Sequence, residues 1–178
     1  MHALEFPVCT FDLRTGVLCS KCEDKLSRGE LSPLDFDVMR FLLELEKRVQ
    51  TLSSLAYLKS VKLDDHIFVV LGERSVSSLG QEALAQVRRG LSERFRLKAE
   101  VVEEFKDFNK FLQGLVSPAR LLAVNKMWLP DQSVEMKAVI DDERKLPAPP
   151  NILSRFVKEF KGVDVSFEPQ RRRLSTPR

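Results

Sequence analysis

The feature that most restricts what this chain can fold into is a repeated succession of elements: helix, strand, strand, helix, strand. The second copy follows the first by roughly seventy residues. In the first copy Ser32 is placed to cap a helix that Pro33 opens, with Asp35 supplying an acid in the first turn. Val38, Met39, Leu42, Leu43, Leu45 and Val49 then recur at helical spacing. Leu55 to Lys62 roughly alternates as a strand, Asp64-Asp65 makes a turn, and His66 to Leu71 reads as a buried strand. A loop beginning at Gly72 leads to Leu79-Gly80. Ala83, Leu84, Val87 and Leu91 mark the next helix, which Gly90 weakens without breaking, and Lys98 to Glu103 closes the set as a strand.

The second copy opens on Phe108, Phe111, Leu112 and Leu115, capped by Asp107 and ended by Ser117-Pro118. Leu121 to Leu129 is a strand and Pro130-Asp131-Gln132 a turn; Val134, Met136, Ala138 and Ile140 alternate in the strand after it. A proline-rich loop leads to Asn151 as N-cap of the last helix, faced by Ile152, Leu153, Phe156, Val157 and Phe160. Gly162 stops it, and Val163 to Phe167 is the last strand. Two compact α/β units in tandem fit a chain of 178 residues. The rival reading is one continuous α+β domain whose halves are alike by chance.

Charged residues make up 31% of the chain and apolar ones 43%, the mix of a globular protein. No apolar run reaches the roughly eighteen residues of a membrane span, and the opening MHALEFPVC lacks the flank and core of a signal peptide. A cytoplasmic protein is the expectation. Cys9, Cys19 and Cys22 are the three cysteines, and an odd, clustered set argues for a metal rather than a disulfide framework. Cys19-x-x-Cys22 has the spacing at which a tight turn aims two thiolates at one ion. Cys9-x-x-Asp12 repeats it with a carboxylate in the last place. Gly16 allows the turn that brings the pairs together. Thiolates favour zinc, and so short a segment needs a staple, so structural Zn2+ on Cys9, Asp12, Cys19 and Cys22 is expected. His2 is a rival fourth ligand, and three ordinary free thiols are the alternative. His66 opens an apolar strand and reads as packed or surface-lying.

The formal net charge is only +3, but from Arg144 onward nine Lys or Arg face three acids, so the positive field sits at one end. A polyanion such as RNA would meet that end first. The triple Arg171-Arg172-Arg173 also reads as a solubilising tail.

The segment PVCTFDLRTGVLCSKCEDKLSRGELSPLDFDVMRFLLELEK, with LVSPARLLAVNKMWLPDQS and DDERKLP further on, resembles the archaeal NusA-like family of double-KH proteins. The resemblance spans nearly the whole chain except the basic tail. It implies an α+β fold of tandem type II KH modules (α-β-β-α-α-β twice) behind a small metal knuckle. The corresponding division is 1–31 knuckle, 32–104 first KH-like domain, 105–168 second, and 169–178 basic tail. It also implies an RNA-binding factor of transcription elongation or termination. A KH module holds about four nucleotides with a Gly-x-x-Gly loop between two helices, whose glycines let backbone approach phosphate. Here that stretch is Gly80-Gln81-Glu82-Ala83: Ala83 replaces the second glycine, and Glu82 sets a negative charge at the cradle. Arg74, Arg88 and Arg89 are placed to offset this. The second loop, Lys145 to Pro150, has no glycine, and its prolines remove donors. The expected RNA-binding residues are therefore Gly80, Gln81, Arg88, Arg89, Arg144, Lys145, Arg155, Lys158, Arg171, Arg172 and Arg173. Trp128 and Tyr57 could stack on bases, though Trp128 sits in a strand and core packing is expected for it.

Enzyme motifs are missing, and Asp64-Asp65 and Asp141-Asp142 read as turns. The expectation is a non-catalytic protein with no membrane or small-molecule partner. Three partner readings stand open: nascent transcript beside RNA polymerase; rRNA on the ribosome, held through the basic end; and a KH-fold scaffold for proteins alone.

Overall fold

The computed structural model describes residues 4–128 and 134–170. The chain divides into two compact units, Met1–Phe105 and Lys106–Arg178. Both are mixed α and β, each built on one three-stranded sheet. Among the described residues no helix is long and apolar enough to cross a membrane.

Unit 1 begins with two short helices that the sequence reading lacks, α1 (Thr10–Thr15) and α2 (Ser20–Ser27). α3 (Pro33–Glu46) follows, then a 3-10 turn over Gln50–Ser54, β1 (Tyr57–Leu63), β2 (His66–Leu71), α4 (Ser75–Phe95) and β3 (Lys98–Glu103). α3 starts where the capping signals place it. The Ser32 hydroxyl accepts from the Asp35 amide at 3.2 Å, and the Asp35 carboxylate accepts from the Ser32 amide at 2.7 Å. Asp35 is more than a first-turn acid, however. It is fully buried and its other oxygen accepts from the Ser60 amide at 2.6 Å and from the Tyr57 hydroxyl, stitching α3 to β1. Tyr57 is thus a core residue, which removes it as a stacking platform. Burial first, and the Asp35 charge second, push its phenol well above the usual range.

β2 is the central strand, antiparallel to β1 and parallel to β3, and all six of its residues are buried. That explains its unbroken apolar run. α4 starts at Ser75, ahead of the expected start beyond Gly80, and Gly80 interrupts it at φ 74, ψ 163, a combination essentially confined to glycine. Ala83, Leu84, Val87 and Leu91 then face the core. Gly90 has a packing reason: a Cβ there would lie 2.6 Å from Phe41 Cζ, so the bare backbone lets the α3 ring sit against α4. Leu4, Val8, Leu13, Cys22 and Leu31 of the cysteine segment belong to the same hydrophobic cluster as α3, β2 and α4. The segment is therefore held by packing as well as by any staple.

Unit 2 runs α5 (Phe108–Val116), β4 (Leu121–Trp128), β5 (Val134–Ile140), a 3-10 turn over Glu143–Lys145, α6 (Pro150–Lys161) and β6 (Val165–Pro169). Its sheet repeats the arrangement of unit 1: the middle strand, β5, is antiparallel to the strand before it and parallel to the one after. Phe111, Leu112, Leu115 and Val116 from α5 meet Ile152, Leu153, Phe156 and Val157 from α6 over Ala138 and Ile140. α6 starts at Pro150, whose fixed φ suits the first helical position, so Asn151 is not its cap. Trp128 departs most from expectation: it is 76% exposed. It pairs with Val134 on an edge strand, at the end of the sheet away from the buried Ala138 and Ile140, where β5 itself is only half-buried. Leu129 to Ser133, including the expected turn, lie outside the described residues.

Candidate metal centre

The two x-x spacings are realised by the same local device used twice. Cys9 is the N-cap of α1 and Asp12 its third residue; Cys19 is the N-cap of α2 and Cys22 its third residue. An N-cap side chain and the one three residues on face the same side of a helix start, so each pair converges on one point. Gly16 closes α1 in the left-handed region at φ 76, its amide donating to the Asp12 carbonyl at 2.8 Å, and the chain then turns back toward Cys19. Arg40 on α3 holds α1 from the other side, its Nε donating to the Leu13 carbonyl at 3.1 Å. The Lys25 ammonium ties α2 to the Pro7 carbonyl at 2.6 Å.

The ligand atoms of Cys9, Asp12, Cys19 and Cys22 all lie within 4.8 Å of one another. The Cys9 and Cys19 sulfurs are 3.9 Å apart. A tetrahedral ion with zinc–sulfur bonds of about 2.3 Å needs sulfurs about 3.8 Å apart, so the four groups could hold a metal ion with little movement. Asp12 and Cys22 are buried, Cys19 half-buried and Cys9 exposed. The Cys19 amide donates to Asp12 Oδ2 at 2.9 Å, which orients the carboxylate toward the sulfurs. That amide, followed by the Cys22 and Cys19 thiols, holds the Asp12 carboxyl below its ordinary range. Cys22 is pushed up to about 12, by burial first and the neighbouring Asp12 second, with the Cys9 amide opposing at 3.5 Å from its sulfur. A cation among the four groups would reverse that balance in favour of thiolate. His2 lies outside the described residues.

The expected RNA-binding residues fall in two places. Gly80 and Gln81 are exposed on α4, with Glu82 beside them, whereas Ala83 is buried as part of the core face of the helix. Most of the expected cations already face a carboxylate. Arg88 lies 3.7 Å from Glu100, Arg89 is 2.8 Å from Glu93, and Lys158 is 2.8 Å from Asp164. Arg144 is 3.0 Å from Asp142, and Lys145 is 3.1 Å from Asp141. Asp141 and Asp142 are thus acceptors that organise the turn. Asp141 takes amides from Arg120 and Asp142 as well as Lys145, which holds its carboxyl far below the usual range, the Arg120 amide contributing most. Arg155 is exposed on α6, one turn ahead of Lys158. Arg171, Arg172 and Arg173 lie outside the described residues. His66 is buried at the start of β2, its Nδ1 2.7 Å from Asp65, away from any ligand set.

Sequence reasoning missed the exposed apolar side chains of the cysteine segment, Phe11 at 70% and Val17 at 69%. The signal was present: Phe11 sits between Cys9 and Asp12, and a residue between two ligands on one helix face must point elsewhere.

No family model and no curated protein matches the chain. Among solved structures, one described as "Crystal structure of APE1850" is similar, with a TM-score of 0.52 and 12% identity over 73% of this chain and 96% of that one. At that identity the likeness concerns the fold alone, and it accords with a mixed α+β chain of two small three-stranded sheets.

Proposed function

We propose that the chain is a non-catalytic RNA-binding protein made of tandem type II KH modules, with zinc as a structural ion on Cys9, Asp12, Cys19 and Cys22. The observation that carries the RNA reading is the break in α4: an exposed Gly80 at φ 74, ψ 163 between two helical segments, the position of a KH phosphate loop. In support, both units run helix, strand, strand, helix, strand, from α3 and from α5, with the same strand order, although the break in α4 has no counterpart in α6. Three thiolates with one carboxylate favour zinc over harder ions. The role we assign is NusA-like, contacting single-stranded nascent RNA beside RNA polymerase.

A second reading is a protein docked on structured RNA such as rRNA through its basic end, where nine Lys or Arg face three acids from Arg144 onward. Capture of the tagged full chain from cell extract, with and without RNase, separates the two. Recovery of RNA polymerase with mixed transcripts supports the first; rRNA with ribosomal proteins replaces it by the second. Protein partners that survive RNase with no RNA enriched would leave only a protein scaffold.

A further inference from the structure

We infer that the outer face of the metal knuckle is a contact surface for single-stranded RNA, in which Phe11 stacks on a base and Arg14, Arg40 and Lys47 take the flanking phosphates. This deepens the RNA reading above and rests on it. Phe11 is 70% exposed on a helix whose next residues, Asp12 and Leu13, are both buried. An exposed phenylalanine on a small, rigid platform is the form that stacking sites for single strands take. Three residues on, and so on the same helix surface, lies Arg14. It lines a cavity of about 300 Å³ between α1 and α3 with Leu13, Arg40, Leu43, Glu44 and Lys47. Three cations against one carboxylate give that cavity a positive balance on an apolar floor of Leu13 and Leu43.

Ion pairing separates the cations of this surface from those expected elsewhere to bind RNA. Among the described residues Arg14, Arg40 and Lys47 form no ion pair, whereas Arg88, Arg89, Arg144, Lys145 and Lys158 each have a carboxylate partner. A phosphate reaching the knuckle displaces no internal acid, so the full electrostatic attraction is available there. Arg40 is also partly oriented, since its Nε is held by the Leu13 carbonyl at 3.1 Å while its terminal nitrogens extend toward Gly16. The same convergence of Cys9 and Asp12 that could hold a metal leaves Phe11 outward, on the helix surface it shares with Arg14.

The test uses the full chain and fluorescein-labelled single-stranded oligoribonucleotides of mixed sequence, about twelve nucleotides long, titrated by anisotropy over a range of KCl concentrations. Phe11→Ala is expected to weaken binding about tenfold while leaving the salt slope unchanged, because stacking involves no counterion. Phe11→Tyr is expected to restore it. The double variant R14E/K47E is expected to lower the slope of log K against log salt by about 1.4, two phosphate contacts at about 0.7 each. Phe11, Arg14, Lys47 and Gln81 are exposed and Arg88 is half-buried beside Glu100, and far-UV circular dichroism checks the folding of each variant. Should the wild-type chain bind no oligoribonucleotide at low salt, both the RNA reading and this site are overturned. Should it bind with unchanged affinity and slope in F11A and R14E/K47E, while Q81E/R88E loses binding, the knuckle site alone is overturned and the KH-loop reading stands.

Discussion

Replacing Asp35 by alanine is expected to cost unit 1 a large share of its stability, although Asp35 touches no candidate ligand. The carboxylate is fully buried and accepts from the Ser32 amide and hydroxyl, the Ser60 amide and the Tyr57 hydroxyl. Losing its half of the capping box costs about 1 kcal/mol. The Ser60 amide, buried and left without an acceptor, costs about 1–3 kcal/mol. Tyr57 keeps the Ser60 hydroxyl at 2.7 Å, so its loss is at the low end of that range. The sum is about 3–5 kcal/mol, against a typical domain stability of about 5–15 kcal/mol. Tyr57→Phe removes one donor and leaves the carboxylate three others, so its cost is about 1 kcal/mol. In the double variant the orphaned phenol no longer exists, and the two losses should fall short of additivity by roughly 1 kcal/mol. Urea unfolding followed by circular dichroism reads both units, and the fluorescence of Trp128, the chain's one tryptophan, reads unit 2 separately, so the loss in unit 1 is isolated. A loss under about 1 kcal/mol for D35A, or equal losses for D35A and Y57F, would refute the argument that the carboxylate is the hub.

Other outcomes follow from the same geometry. The full chain is expected to bind one zinc ion, with Cys19→Ala and Cys22→Ala abolishing stoichiometric binding and chelation lowering the melting temperature of unit 1 but not of unit 2; elemental analysis and calorimetry check both. Gly90→Ala is expected to destabilise unit 1 even though alanine is the better helix former by about 1 kcal/mol, because the added Cβ meets Phe41; pairing it with Phe41→Ala should recover the helix gain in a double-mutant cycle. Asp141 has a depressed folded-state pKa, so its contribution to unit 2 is complete above the ordinary carboxylate pKa of about 4 and is lost as pH falls below it toward the folded value. Asp141→Asn should therefore be less stable than wild type at neutral pH, and the difference should shrink on acidification, as read by unfolding at stepped pH.

Local spacing made much of the site legible. Cys9, Asp12, Cys19 and Cys22 were readable as a set because two x-x spacings around a glycine have few ways to close, and the four groups do lie together. The helices that create this convergence were not readable: six and eight residues give too little periodicity. Ala83 reads from the sequence both as a helix-face residue and as the replaced second glycine of a loop, and it lies on the core face of α4; the helical turns ahead of Gly80 read as loop, so the break inside α4 was not legible. Arg144 and Lys145 looked like available cations in a basic stretch, and the acids that bind them are the neighbouring Asp142 and Asp141, read only as a turn.

The sequence by itself determined the succession of helices and strands from α3 onward and the cysteine–aspartate set, because caps, periodicity and ligand spacing act over a few residues. Tertiary structure alone decided that Asp35 joins α3 to β1, that Gly90 accommodates Phe41, that Trp128 lies open at a sheet edge, and which carboxylates Arg88 and Lys158 face. Burial and ion pairing depend on what the rest of the chain brings alongside a residue. Arg14, Arg40 and Lys47 become a candidate surface only once α3 packs against α1.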